Sequence, residues 1–176
     1  MATKIIQCKI QGISPLLMHA FPMQTVDGID KASAAEQAEH AAYRTPEGQL
    51  YVPGINIQRA IVAGAAYSKG KGRASLQKPV AACVLVTPER CLLNQDGYEI
   101  DARPVVIPAT KGRIIRVRPR FDQWELSFQV EYDNTLLKED ELRRVIDDTG
   151  LRVGLLDFRP EKKGPFGRFM VVRWEN

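Results

Sequence analysis

An α+β fold, an antiparallel sheet with two helices packed on it, is what this sequence predicts, and three observations lead there. The chain opens on strand-like alternation, with Ile6, Cys8 and Ile10 facing one way and Gln7, Lys9 and Gln11 the other. Two stretches with helical spacing, 55–67 and 138–148, lie far apart in the chain. Around them run short alternating segments punctuated by Gly, Pro and Asn.

Taken in order, Gly12 ends the first strand and Ser14-Pro15-Leu16-Leu17-Met18-His19 follows as an apolar turn. Periodicity fades from Phe21 to Lys31, and Met23 to Gly28 reads as an exposed, mobile loop. Ser33 stands where it can cap a short helix reaching Tyr43. Residues 20–45 therefore read as an insertion ahead of the main first helix. That helix runs from Ile55 to Tyr67 behind Pro53-Gly54, with Asn56 as its expected N-cap and Ile57, Ala60, Ile61 and Gly64 as a narrow, small-residue stripe. Val80–Thr87 and Arg90–Leu93 read as strands, and Asn94-Gln95-Asp96-Gly97 as a hairpin turn returning through Tyr98-Glu99-Ile100. Arg103–Ile107 is a further extended run.

Arg113–Tyr132 reads as a strand pair. Ile115, Val117, Pro119 and Phe121 share one face of its first arm, and Arg116, Arg118 and Arg120 the other. In the second arm Trp124, Leu126, Phe128, Val130 and Tyr132 share a face, and the parity change at Asp122-Gln123 suits a two-residue hairpin loop. Trp124, Phe128 and Phe121 are assigned to the core. Lys138–Asp148 is an amphipathic helix with Leu142, Val145 and Ile146 inward and Gly150 at the position just past its end. A glycine-rich loop over 150–169 and a last strand, Phe166–Trp174, follow. Strand, helix, several strands, helix, strand is the order of a split β-α-β unit: a single ferredoxin-like or RRM-like domain over 1–176, enlarged by inserted hairpins.

With 44% hydrophobic and 26% charged residues the composition is that of a globular protein. The longest apolar runs are far too short to span a bilayer. Met1-Ala2-Thr3-Lys4 leads straight into strand-like sequence without the apolar region secretion needs, so the cytoplasm is the expected compartment and no membrane partner is expected. Cys8, Cys83 and Cys91 lack metal-ligand or redox spacing and read as reduced thiols, Cys8 and Cys83 in the core. With His19 and His40 the only imidazoles, no metal site is expected. No phosphate-loop spacing, nucleophile elbow or dinucleotide fingerprint occurs, and no cofactor is expected.

The net charge of +4 says little, but the distribution of cations says more. Lys69, Lys71, Arg73 and Lys78 form one window; Lys111, Arg113, Arg116, Arg118 and Arg120 a second; Arg159, Lys162, Lys163 and Arg168 a third. Thirteen of the 25 cations thus share three windows with a single acid, Glu161, and Gly70, Gly72, Gly112, Gly164 and Gly167 accompany them. Backbone amides at Gly164 and Gly167 and a cationic strand between two cationic loops would form a groove tracking a phosphate backbone.

The element Leu50-Tyr51-Val52-Pro53-Gly54-Ile55-Asn56-Ile57-Gln58-Arg59-Ala60-Ile61 resembles a motif of the RAMP superfamily, the RRM-like proteins of CRISPR systems, in which I-P-G-S-S-[IL]-K-G opens the first helix. Ile10 to His19 is similar to that family's first strand and turn. Lys162-Lys163-Gly164-Pro165-Phe166-Gly167-Arg168-Phe169 resembles its glycine-rich loop, which commonly ends G-[FY]-G-[RK]. The three occur in the family's order. Asn56 stands where the family often has Ser, and Gln58-Arg59 replaces Lys-Gly, so a phosphate contact there would fall to Arg59. The chain is shorter than the family's backbone subunits, which suits a stand-alone member carried by a mobile element.

The expectation that follows is a non-catalytic binder of single-stranded nucleic acid, RNA rather than DNA by the resemblance, alone or as a subunit of a ribonucleoprotein assembly. Two alternatives accompany it. One is a metal-independent endoribonuclease with His19 or His40 as general base. The other is a structural or assembly protein of a mobile element or phage, a homo-oligomer built through exposed strand edges.

Overall fold

In chain order the elements are β1 (Thr3–Gly12), β2 (Leu16–Leu17), α1 (Ala34–His40), β3 (Tyr51–Pro53), α2 (Gly54–Gly64), α3 (Gln77–Cys83), β4 (Val84–Thr87), β5 (Arg90–Leu92), β6 (Glu99–Val106), β7 (Arg113–Phe121), β8 (Glu125–Asp133), α4 (Glu139–Asp148) and β9 (Phe169–Glu175). This computed structural model describes residues 3–23 and 26–176; Met1 and Ala2, and Gln24 and Thr25 of the expected loop, lie outside it. The class is α+β, with antiparallel sheets, as the alternation and the two helical stretches predict.

The main sheet has the order β4-β8-β1-β9. Period-two alternation places Ile6, Cys8 and Ile10 of β1 and Leu126, Phe128 and Val130 of β8 on one buried face. Helix α2 adds Ile57, Ala60 and Ile61 to the same core, and α4 adds Leu142, Val145 and Ile146. The helices approach closely where α2 ends, because Gly64 faces Thr149: a methyl group there would come within 2.0 Å of the Thr149 Oγ1. Gly64→Ala is therefore expected to cost roughly 1–3 kcal/mol of stability, the usual range for overpacking, seen as a lower thermal midpoint. An unchanged midpoint would mean that the helix ends separate freely.

Helix α1 is capped as expected: Ser33 and Glu36 exchange the two bonds of a capping box. Other expectations are corrected. Residues 77–83 are helical and only Val84–Thr87 is strand, pairing with β8. Segment β5 pairs with β3 and not with the segment after Gly97, which belongs to the longer strand β6. The expected Arg113–Tyr132 hairpin does not form. Strand β7 pairs with β6 and β2, whereas β8 pairs with β1 and β4. The turn between them changes sheets. Trp124, buried there, is held by bonds to both sides of the first turn: its indole N–H donates to the Ser14 carbonyl (2.8 Å), and its own carbonyl accepts from Gly12 N–H (2.9 Å).

Asn56 is not a cap. Helix α2 begins behind Pro53, and its first amide, from Gly54, donates to the Glu89 carbonyl at 2.7 Å, so Asn56 lies within the first turn. Gly150 does not end α4 either. The chain continues helically through Thr149–Val153 and stops at Gly154, whose φ of 73° with ψ of 178° is a backbone conformation essentially reserved for glycine. Phe121, Trp124 and Phe128 are core, as expected, and so is Cys8, whose thiol burial pushes up to about 12. Cys91 is buried too, whereas Cys83, expected in the core, is only partly covered.

Candidate nucleic-acid interface

Strands β6 and β7 form a ribbon, pairing from Glu99 with Arg120 out to Val106 with Arg113, with β2 on the other edge of β7 at its root and α1 beside it. Its root is packed; its outer half exposes Val106 and Ile115. The glycine-rich segment 154–168 folds back against the root. Two features fix it there. Arg118 on β7 donates through Nη1 to Asp157 Oδ2, and Arg103 on β6 stacks over Phe166 (4.7 Å) and reaches Phe158 (6.0 Å), the two rings stacked 5.9 Å apart.

This packing revises the expected arginine face. Arg116 is exposed, Arg120 is partly covered and bonded to Asp122 at 2.6 Å, and Arg118 is buried, 3% exposed, under the segment that was expected to lie beside it. Gly164 and Gly167 do not present amides outward. Gly164 N–H donates to the Arg159 carbonyl (3.0 Å) and Gly167 N–H to the Pro15 carbonyl (2.8 Å). Both are glycines because of close approach: a Cβ at Gly164 would lie 1.8 Å from the Phe158 carbonyl oxygen, and one at Gly167 2.1 Å from that of Leu155. They shape the segment and are not anion ligands in it.

Two concavities meet beside this junction. The larger, a groove of about 530 Å³, is lined by Arg103, Arg116, Arg118, Lys162, Phe158 and His19, with Asp157 in its wall. The smaller, about 320 Å³, holds Tyr43, Asn56, Arg59, Arg159 and Glu161, and shares His19 and Asp157 with the groove. A third recess of about 100 Å³ contains His40 together with His19 and Arg116. His19 follows β2 and so stands where all three meet.

The charges are ordered by pairing. Asp157 lies 3.4 Å from His19 Nδ1 as well as bonding Arg118. Burial raises its pKa, but the bonds from His19 and Arg118 and the charge of Arg118 outweigh burial and hold the carboxyl well below the usual range. Asp101, opposite Arg118 on β6, is held down chiefly by its bonds from Arg103, one of them 2.7 Å from Nε to Oδ1. Arg159 is spent locally, on Glu161 (2.6 Å) and on the Leu156 carbonyl (2.8 Å). Arg116, Lys162 and Arg59 have no carboxylate partner among the described residues.

Of the cations singled out in the sequence, Arg116, Arg118 and Lys162 come together in the groove and Arg59 and Arg159 in the adjoining pocket. Lys111 and Arg113 stand at the ribbon's outer end, and Lys163 and Arg168 are exposed on the segment without lining either concavity. Lys69, Lys71 and Arg73 do not close the groove. Their loop packs beside α4, where Arg144 reaches the Lys69 carbonyl and Gly70 lies near Glu141. Asp157 braces Arg118 and His19. Arg103 was not among the expected contacts; the signal for it was its place on a strand two residues from Asp101, an acid with no other explanation on that face.

The open face of the main sheet carries Ile5, Gln7, Lys9 and Gln11 of β1 and Glu125, Ser127, Gln129 and Glu131 of β8. No aromatic side chain stands on these strands' open face, so it offers no stacking platform for bases. Among the described residues no group of three or more His, Cys, Asp or Glu side chains gathers as a metal-binding set, and no helix is long and apolar enough to cross a membrane. Comparison of the chain with protein-family models and with curated proteins finds no match.

Proposed function

We propose that this protein binds single-stranded nucleic acid, RNA by preference, in the groove between the β6–β7 ribbon and the glycine-rich segment, and that it does so without catalysing a reaction. The observation that carries the reading is the groove's lining: four cationic side chains and an aromatic ring around one carboxylate that is already bonded by Arg118 and lies 3.4 Å from His19 Nδ1. Such a lining suits a polyanion with bases attached, because phosphates take the cations while Phe158 offers a stacking edge. A bare sheet face without aromatics directs the strand to the groove and away from the surface that RRM-type readers use. The chain order β1-α2-β4-β8-α4-β9 with sheet order β4-β8-β1-β9 supports a ferredoxin-like topology, and with it the resemblance to the RAMP superfamily.

Fluorescence anisotropy with mixed-sequence single-stranded RNA and DNA, repeated over a range of salt, tests this. Micromolar or tighter binding that weakens steeply with salt is expected, since released counterions drive it. Absence of salt-sensitive binding refutes it. Gel analysis of the same RNA in EDTA gives the other arm: the pairing of His19 with Asp157 would serve a general base, and cleavage lost in His19→Ala would replace the binding reading with a nuclease.

A further inference from the structure

The structure assigns the floor of the groove to a single terminal phosphate, so that the protein holds one end of a strand and not only its middle. The inference rests on the groove reading above and starts from Arg118. Its guanidinium spends Nη1 on Asp157, but Nε and Nη2, both buried, have no hydrogen-bond partner. The nearest carboxylate on that side, Asp101 Oδ1, is 3.9 Å from Nη2, too far for a hydrogen bond, and is taken up by Arg103. Nε and Nη2 are the two donors that project in parallel and grip a carboxylate or phosphate with paired bonds. A buried polar group left without partners costs free energy, and two on one side chain that lines the groove call for a ligand.

The position of Arg118 selects the kind of phosphate. An internal phosphodiester carries nucleotides on both sides and stays at the rim, where Arg116 and Lys162 are exposed. Only a group that ends a chain can reach a side chain that is 3% exposed. A terminal phosphate also carries the greater charge and one more free oxygen, to be shared among Arg118, Arg103 and His19, all of which line the groove. The carboxylates nearby do not forbid it, because Asp101 is paired with Arg103 and Asp157 with Arg118 and His19.

The test uses wild-type protein and one RNA sequence in four forms: 5′-phosphate, 5′-hydroxyl, 3′-phosphate and 3′-hydroxyl. One phosphorylated end should bind about tenfold more tightly than the matching hydroxyl end, the effect of one charge-assisted bidentate contact. Millimolar inorganic phosphate should erase that difference while leaving hydroxyl-ended RNA bound. Equal affinity for all four forms overturns the end-binding inference and leaves the groove reading standing; failure of every form to bind overturns both. Arg118→Lys, checked for folding by circular dichroism, should bind the phosphate and hydroxyl ends within about twofold of each other whatever its overall affinity, since an ammonium cannot reproduce the paired donors. A preference retained in that variant moves the phosphate elsewhere.

Discussion

Replacement of Arg118 by alanine should lower the free energy of unfolding by about 3 kcal/mol or more, the scale on which removing one partner of a buried ion pair is felt. The arginine touches Asp157 on the glycine-rich segment and faces Asp101 across the ribbon, so its loss removes the one ion pair that joins these two parts of the chain among the described residues. Urea unfolding measures the effect, with Arg116→Ala, one exposed neighbour along β7, as a control expected to stay within about 0.5 kcal/mol of wild type. A small loss for Arg118→Ala would show that the segment is held by its glycines and phenylalanines alone.

The same contact has a pH signature. Asp157 and Asp101 both have folded-state pKa values below the unfolded carboxylate range of about 4. Their contribution is therefore complete above that range and is lost as pH falls through it towards the folded values. Arg118→Ala should bring acid unfolding to a higher pH, because Asp157 loses one of the two partners that keep it ionised. Asp157→Asn should flatten the acid limb instead.

The second large effect concerns binding. Changing Arg116 and Lys162 together to alanine should weaken binding of a mixed-sequence single strand roughly tenfold to a hundredfold at low salt. It should also make the salt slope shallower by about 1.4, at about 0.7 for each phosphate contact on a single strand. Both side chains are exposed and neither holds the fold, so circular dichroism should be unchanged. The matched triple variant of Lys69, Lys71 and Arg73 should bind nearly as wild type does, since that loop lies against α4. The reverse ranking would transfer the interface to the 69–73 loop.

What could be read in the sequence was whatever a local rule decides. Alternation placed Ile6, Cys8, Ile10 and the inward face of β8, and three-to-four spacing placed Leu142, Val145 and Ile146, because period and burial are tied together by geometry. Ser33 was legible because capping needs only its neighbours. The failures share a cause: each required knowing a partner distant in sequence. Parity across Asp122-Gln123 fits any reversal of direction, and nothing nearby says that β7 has β6 for a partner and β8 has β1. Val80–Cys83 looks β-prone, yet it packs as a helix ahead of β4. The groove is harder still, for His19, Arg103 and Asp157 come from three separate parts of the chain, and charge clustering along the sequence could not show that Arg118 would be covered while Arg116 stayed open.

The ribbon is anchored at its root and along its middle, and not at its tip. Arg118, Asp101 and the two phenylalanines secure its root, and α1 flanks it, Gln37 and His40 sharing a recess with Ile115, Arg116 and Val117, whereas Val106 and Arg113 at its tip are exposed. It is a cantilever whose stiff end forms the floor of the groove and whose compliant end forms the wall. Load applied by a strand lying beyond Arg116 is therefore borne by bending of the exposed tip and not by the ion pairs beneath. A wall of that kind can yield to bases of different size at little cost, while the point at which a strand's end is gripped keeps its geometry.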